Sequence, residues 1–284
     1  MIVAKTFLYR LEPNALQRQM FAQFAGCCRF VFNQGLAAQK ASYETTGKNL
    51  SYADLCMLLP VMKKAEETVW LRKVHSQVLQ QALKDLDSAY RHFFRRLKEG
   101  AVPGFPKFKK KGQTDSFRFP QGVKIEGDRV YLPKIGWIKY RASRAIAGKL
   151  LQATIKREGA HWFICLACEV NIEESTSVAV TAEKAVGIDL GLKRFAVLSD
   201  GTEIENPRFL ERALVKLRRA QRRLSRKTKR SNNWKRQVAK VVKLHISVKN
   251  SRKDFAHKAS SAIVKNHDVI AVENLNMVKS QDVV

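Results

Sequence analysis

Apolar and polar residues alternate from Val3 to Leu11 ("VAKTFLYRL"), and branched and aromatic side chains fill the apolar beats. A period of two with that composition predicts a β-strand. Past Pro13 the period changes: Leu16, Met20, Phe24, Cys27 and Val31 recur at steps of three and four, the spacing of one helix face. Asn14 and Gln17 stand just ahead of that stripe at the interval of a capping box. The helical period holds again from Tyr52 to Lys98. There Leu71, Val74, Val78, Leu79, Ala82, Leu86, Tyr90, Phe93 and Leu97 form a long apolar stripe opposite lysines and arginines. Residues 11–100 are therefore expected to be helical.

"GAVPGFPKFKKKGQ" ends that region with glycines and prolines. Short alternating runs follow: "SFRFP", "KIEGDRVYLP", "WIKYRA" and "LLQATIKREGAHWFICLACEVNI". The turns "EGD" and "REGAH" predict antiparallel hairpins. These strands extend the sheet begun near the N-terminus, so a β-barrel interrupted by a helical insert is the expected plan, with residues 1–10 and 101–175 in the barrel. A polar linker is expected at 176–183. From residue 184 on, "AVGIDL", "RFAVLS" and "TEIE" read as three strands, the last two joined at Asp200-Gly201. Helices run from about Pro207 to Lys265, with seams at Leu210, Leu214, Leu217 and Leu224 and at Trp234, Val238, Val241, Val248, Phe255, Ala259 and Ala262; "KRSNN" separates them. "DVIAVENLNM" is a final buried strand ending in Glu273. The fold class is α+β and α/β, multidomain.

The 284 residues are enough for two domains with proper cores. The charge is extreme: 53 Lys+Arg against 25 Asp+Glu give a net +28. Such an excess repels itself unless a polyanion neutralises it, which makes nucleic acid the leading partner. No apolar run reaches the length of a membrane span, and the N-terminus lacks the features of a secretory signal. Five cysteines, an odd number, fit a reducing compartment. A cytoplasmic protein is expected.

The charge is concentrated. Arg212 to Lys253 holds seventeen lysines and arginines and no acid. With no acid four residues away to pair with them, these bases point to phosphate contact, carried by Arg218, Arg219, Arg222, Arg223, Arg226, Lys227, Lys229, Arg230, Lys235 and Arg236. A second basic stretch interleaves Lys107, Lys109, Lys110, Lys111 and Arg118 with Phe105, Phe108, Phe117 and Phe119. Those rings either stack on unpaired bases or form the inward face of a strand. Asp189 and Glu273 each end an apolar strand. Asp189 either opens a turn or joins Glu273 in holding a divalent metal; oxygen ligands suit Mg²⁺. Cys165 and Cys168 ("CLAC") have no second CxxC partner, so zinc is not expected, and Cys27 and Cys28 point apart on a helix. His257 is expected to be packed or solvated.

At "VGIDLGLKRFAVLSDG", "RRAQRRLSRK", "SRKDFAHKASSAIVKNHDVIAVENLNM" and "KTFLYRLEPNALQ…GCCRFVFN" the chain resembles the TnpB (OrfB-type) proteins of bacterial insertion sequences, which are RNA-guided DNA endonucleases related to type V CRISPR effectors. The resemblance implies a wedge-type β-barrel, a helical recognition insert at 11–100 and an RNase H-like RuvC nuclease domain over 184–284. It implies guide RNA and target DNA as partners of a monomeric ribonucleoprotein. It also implies Mg²⁺ as cofactor, with Asp189 and Glu273 as catalytic, metal-holding acids. The family continues past this point with a zinc ribbon and a third catalytic Asp, which this sequence lacks; Asp282, close after Glu273, does not substitute. Two expectations follow: a guided endonuclease with an incomplete RuvC domain, or a nuclease-inactive guided DNA binder or repressor. The guide RNA, the target-adjacent motif and the oligomeric state are not written in the sequence.

Overall fold

The structure, a computed structural model, describes residues 1–112, 115–171 and 184–273. The expected linker at 176–183 and the tail beyond Glu273, Asp282 included, lie outside them. The chain divides into two compact units, Met1–Glu173 and Glu174–Val284, each a mixture of helices and strands.

The first unit opens with β1 (Ile2–Leu11) and α1 (Ala15–Thr46). The capping box is formed: Asn14 Oδ1 accepts from Gln17 N–H at 2.8 Å, and Gln17 Oε1 accepts from Asn14 N–H at 3.1 Å. α1 ends at Gly47, whose left-handed φ of 66° lets its N–H donate to the Tyr43 carbonyl. α2 (Tyr52–Lys64), a 3₁₀ segment (Glu66–Lys73) and α3 (Ser76–Lys98) complete the helical region. Then come β2 (Ser116–Phe119), β3 (Lys124–Glu126), β4 (Arg129–Leu132), β5 (Gly136–Lys139), β6 (Lys149–Glu158) and β7 (His161–Asn171). β1, β7, β6 and β2 make one antiparallel sheet, and β3, β4 and β5 a second. The turns at Gly127 and Gly159 fall where the glycines predict them, both in left-handed backbone. At Gly148, φ is 81° and an added Cβ would lie 2.0 Å from the Glu169 carbonyl oxygen, so only glycine fits this close crossing.

The expected barrel does not close. Among the described residues the two sheets are joined through backbone pairing only where β1 runs out against β5. The contacts there are a Leu11–Tyr140 bridge, Glu12 N–H to the Lys139 carbonyl and Arg141 N–H to the Arg10 carbonyl. Among the described residues β2 pairs on one side only, with β6. Helices α1 and α3 cover the sheet instead. Phe21 and Phe24 pack against Phe117, and Phe21 meets Trp162 edge-on at 5.1 Å. Phe117 and Phe119 are buried in this core, which settles their role: they are the inward face of β2.

The second unit contains β8 (Ala185–Asp189), β9 (Arg194–Leu198), β10 (Glu203–Glu205), α4 (Phe209–Ser225), α5 (Asn232–Asn266) and β11 (Val269–Val272). Sheet order is β10-β9-β8-β11; β8, β9 and β10 pair antiparallel, and β11 lies parallel to β8. A parallel neighbour requires a crossover, here supplied by α4 and α5. Phe255 on α5 docks edge-on against Phe195 of β9 at 4.9 Å, and Ile263 closes over Val186, Ala196 and Leu198. His267, just past α5, donates from Nδ1 to the Ile263 carbonyl at 3.0 Å, and its Nε2 lies 3.6 Å from the Asp200 carboxylate at the β9–β10 turn.

Candidate nucleic-acid interface and carboxylate pair

α4 is amphipathic in an unusual way. Leu217 and Ala220 are buried, while Val215, Arg218, Arg219, Arg222, Arg223 and Arg226 share the opposite face around a recess of about 360 Å³. Their spacing of three and four residues is that of a single helical stripe. The only acid on the helix is Glu211, which faces Arg208 at 3.6 Å. Between α4 and α5 runs a second groove of about 440 Å³, into which Lys216, Arg219 and Arg223 project from one helix and Lys240 and Lys243 from the other. Its floor is pinned by the buried Gln237, whose Nε2 donates to the Ala220 carbonyl at 2.9 Å. The loop between the helices holds Lys227, Lys229 and Arg230, the last in left-handed backbone. Lys235 and Arg236 are exposed near the start of α5, where the helix dipole disfavours cations. An anion placed there would relieve that penalty; the ten bases stand exposed or half-exposed on α4, the connecting loop and the first turn of α5.

The basic segment of the first unit is not uniform. Lys107, Lys110 and Lys111 are exposed. Lys109 turns inward: its Nζ sits 3.9 Å from the centre of the Phe32 ring, and burial pulls its pKa below the ordinary lysine value, against the pull of Asp85. Asn33 holds the same residue by its backbone, accepting from Lys109 N–H at 2.8 Å and donating to its carbonyl at 3.0 Å. Arg118 pairs with Asp85 on α3 and is partly buried. Both residues are therefore tied into the fold, unlike the three exposed lysines. Charge counting could not find this, because the partners Phe32 and Asp85 lie far away along the chain.

Asp189 is the last residue of β8, and Glu273 follows β11 directly. The parallel ladder pairs Val269 with Ala185, Ile270 with Val186, Ala271 with Gly187 and Val272 with Ile188. One further step along both strands sets Glu273 beside Asp189. Both carboxylates are exposed and line one shallow cleft of about 480 Å³, together with Ser199 and the apolar strand ends. Neither has an ion-pair partner among the described residues. Two uncompensated acids at adjacent strand ends repel each other and favour a shared cation. Their donors are hard oxygens, which fit a magnesium ion. Among the described residues no group of three or more His, Cys, Asp and Glu is arranged around a metal.

Cys27 and Cys28 are buried, and burial pushes the Cys27 thiol up to about 11 and the Cys28 thiol higher still. Cys168 is fully buried and Cys165, on the other face of β7, is half-buried. His257 is exposed. Among the described residues no helix is long and apolar enough to cross a membrane.

Residues 166–284 match the OrfB family model of insertion sequence IS605, described as "Probable transposase". Residues 1–48 match the associated model described as a helix-turn-helix domain; in this chain that span is β1 and the single 32-residue helix α1. The chain is 43% identical over 281 residues to the "Putative RNA-guided DNA endonuclease InsQ" of Escherichia coli (strain K12), covering 97% of this chain and 68% of that protein. A "Putative RNA-guided DNA endonuclease" of Streptomyces pristinaespiralis is 31% identical over 278 residues, covering 97% of this chain and 68% of that protein. Among solved structures, the Cas12f1–sgRNA–target DNA complex superposes with a TM-score of 0.34 at 17% identity, covering 96% of this chain and 73% of that one. The family models and the two sequence relatives place the chain among the insertion-sequence transposase proteins. Within that class it belongs to the OrfB (TnpB) family.

Proposed function

We propose that the chain is a transposon-encoded RNA-guided DNA-binding protein and endonuclease. In this reading residues 1–10 and 101–175 form the wedge-type domain, as two open sheets in place of a closed barrel, residues 11–100 the helical recognition insert, and residues 184–284 a RuvC domain of the RNase H type. The observation that carries it is the in-register parallel pairing of β8 and β11, which brings Asp189 and Glu273 to the lip of one cleft. The names borne by its relatives support the same activity.

Asp189 and Glu273 would hold magnesium through their carboxylate oxygens. Bound there, the ion would activate a water and stabilise the leaving oxygen of a phosphodiester. The arginine face of α4 and the α4–α5 groove would grip the polyanion by its phosphates, independent of sequence. Guide RNA and target DNA are the proposed partners of a cytoplasmic, monomeric ribonucleoprotein.

The test incubates the protein with guide RNA, target DNA and Mg²⁺. Metal-dependent cleavage that Asp189→Ala and Glu273→Ala each reduce at least a hundredfold is the expected result. Cleavage indifferent to Asp189→Ala would refute the role of the carboxylate pair. Guided binding with no product in the unaltered protein would identify a nuclease-inactive DNA binder.

A further inference from the structure

The last turns of α3 and the segment 105–108 carry an aromatic ledge that the carboxylate cleft and the basic crossover helices do not use. Phe105 stands edge-on to Tyr90 at 5.6 Å and 87° and to Phe93 at 5.3 Å and 83°. Phe94 lies against Phe93 at 5.2 Å and nearly parallel to Tyr90 at 6.3 Å. These contacts hold the rings in place yet leave them open: Phe94 is 47% exposed, Phe105 42% and Phe108 48%. Lys40 Nζ, on α1, sits 5.3 Å from the centre of Phe105 and 5.2 Å from that of Phe108. The Asn33 clamp on the backbone of Lys109 fixes the segment immediately beside Phe108.

Three open rings on a rigid support are not an ordinary solvated surface. The rim of the ledge decides what covers them. Lys98 and Lys107 stand close to the rings along the chain, Arg96 lies against Gly104 beside Phe105, Arg91 is engaged with Asp87 at 2.9 Å, and the one acid of the segment 88–111, Glu99, is engaged with Arg95 at 3.8 Å. A second copy of the chain would bring the same positive rim against this one. A paired duplex keeps its base faces stacked inside. An unpaired strand offers both a negative backbone and free π-faces, the combination that aromatic and basic side chains recognise together.

We propose that Phe94, Phe105 and Phe108 form a stacking platform for unpaired nucleotides, with Lys40 and the surrounding bases holding the flanking phosphates. This rests on the reading of the chain as a nucleic-acid-binding protein and adds where single-stranded nucleic acid is met.

Fluorescence anisotropy with the full chain tests it, using labelled strands of about 20 nucleotides, single or fully paired, at fixed salt. The Phe94→Ala/Phe108→Ala double variant is expected to bind the single strand about tenfold more weakly or worse, from the ordinary strength of base–aromatic stacking. Its affinity for the duplex should change by less than about twofold. Phe108→Trp, at a half-open position, should retain binding, and the introduced indole should be quenched by the single strand and not by the duplex. An unquenched indole, or equal weakening toward both forms, overturns the platform. So does a dimer of the unaltered protein that the double variant dissolves, since a second copy would then be the occupant. If the unaltered protein binds neither strand nor duplex, the broader proposal fails and not this one alone.

Discussion

Lys109 stands between Phe108 and Lys110 in a run that reads as uniformly basic, yet the two neighbouring lysines do different work. Lys109 lays its stem and charge against Phe32, an interaction of about 1 kcal/mol. Lys110 is exposed. Lys109→Ala is therefore expected to lower the melting temperature by about 2–4 °C while leaving the salt dependence of nucleic-acid binding unchanged. Lys110→Ala should leave the melting temperature alone and reduce the slope of log affinity against log salt by about one. Calorimetry and anisotropy on the two variants separate these outcomes; a common response from both would show that the inward turn of Lys109 has no consequence. The difference was invisible in the sequence because direction on an irregular segment is set by long-range packing. The capping pair Asn14 and Gln17, by contrast, was legible, since both partners belong to one turn.

The crossover helices raise a question of stability that their neighbours do not. The sequence from Arg212 to Lys253 holds seventeen cations and no acid of its own, and only Leu217, Ala220, Gln237 and Ile263 of α4 and α5 are buried. The pair is held by a narrow seam against its own repulsion. Added salt, which screens charges beyond about 10 Å at 0.1 M, should therefore stabilise it. Hydrogen exchange of α4 and α5 amides is expected to slow between about 50 and 300 mM NaCl in the absence of nucleic acid. Exchange that speeds up would mean that attractive pairs dominate. Strand order in this unit was readable beforehand, because Asp200-Gly201 marks a hairpin and the helical run enforces a crossover. Closure of the first sheet into a barrel was not, because it hangs on whether β1 and β5 pair at length, and they meet at one bridge.

Across the whole molecule the two units are unequally built. The first has one large core that joins both sheets and the helices, from Phe7 and Tyr9 through Leu86 to Leu166. The second rests on Val186, Ala196, Leu198 and Ile263 with a few half-buried neighbours. Since stability tracks buried apolar area, amides in β8, β9 and β11 are expected to exchange well before those in β6 and β7. Native-state hydrogen exchange reads this directly, and the reverse order would contradict it. Charge was enough to point at nucleic acid. It could not say which bases face outward, since that depends on partners such as Asp85, far from Arg118 in the chain.

The crossover delivers β11 to β8, and Phe255 and Ile263 bind it to the sheet. From there the ladder sets the register: each rung from Val269–Ala185 to Val272–Ile188 advances both strands together and carries the chain to the two acids in step. The outward face of the crossover is in effect a handle: it can be recharged to hold a different polymer while the blade beneath keeps its edge.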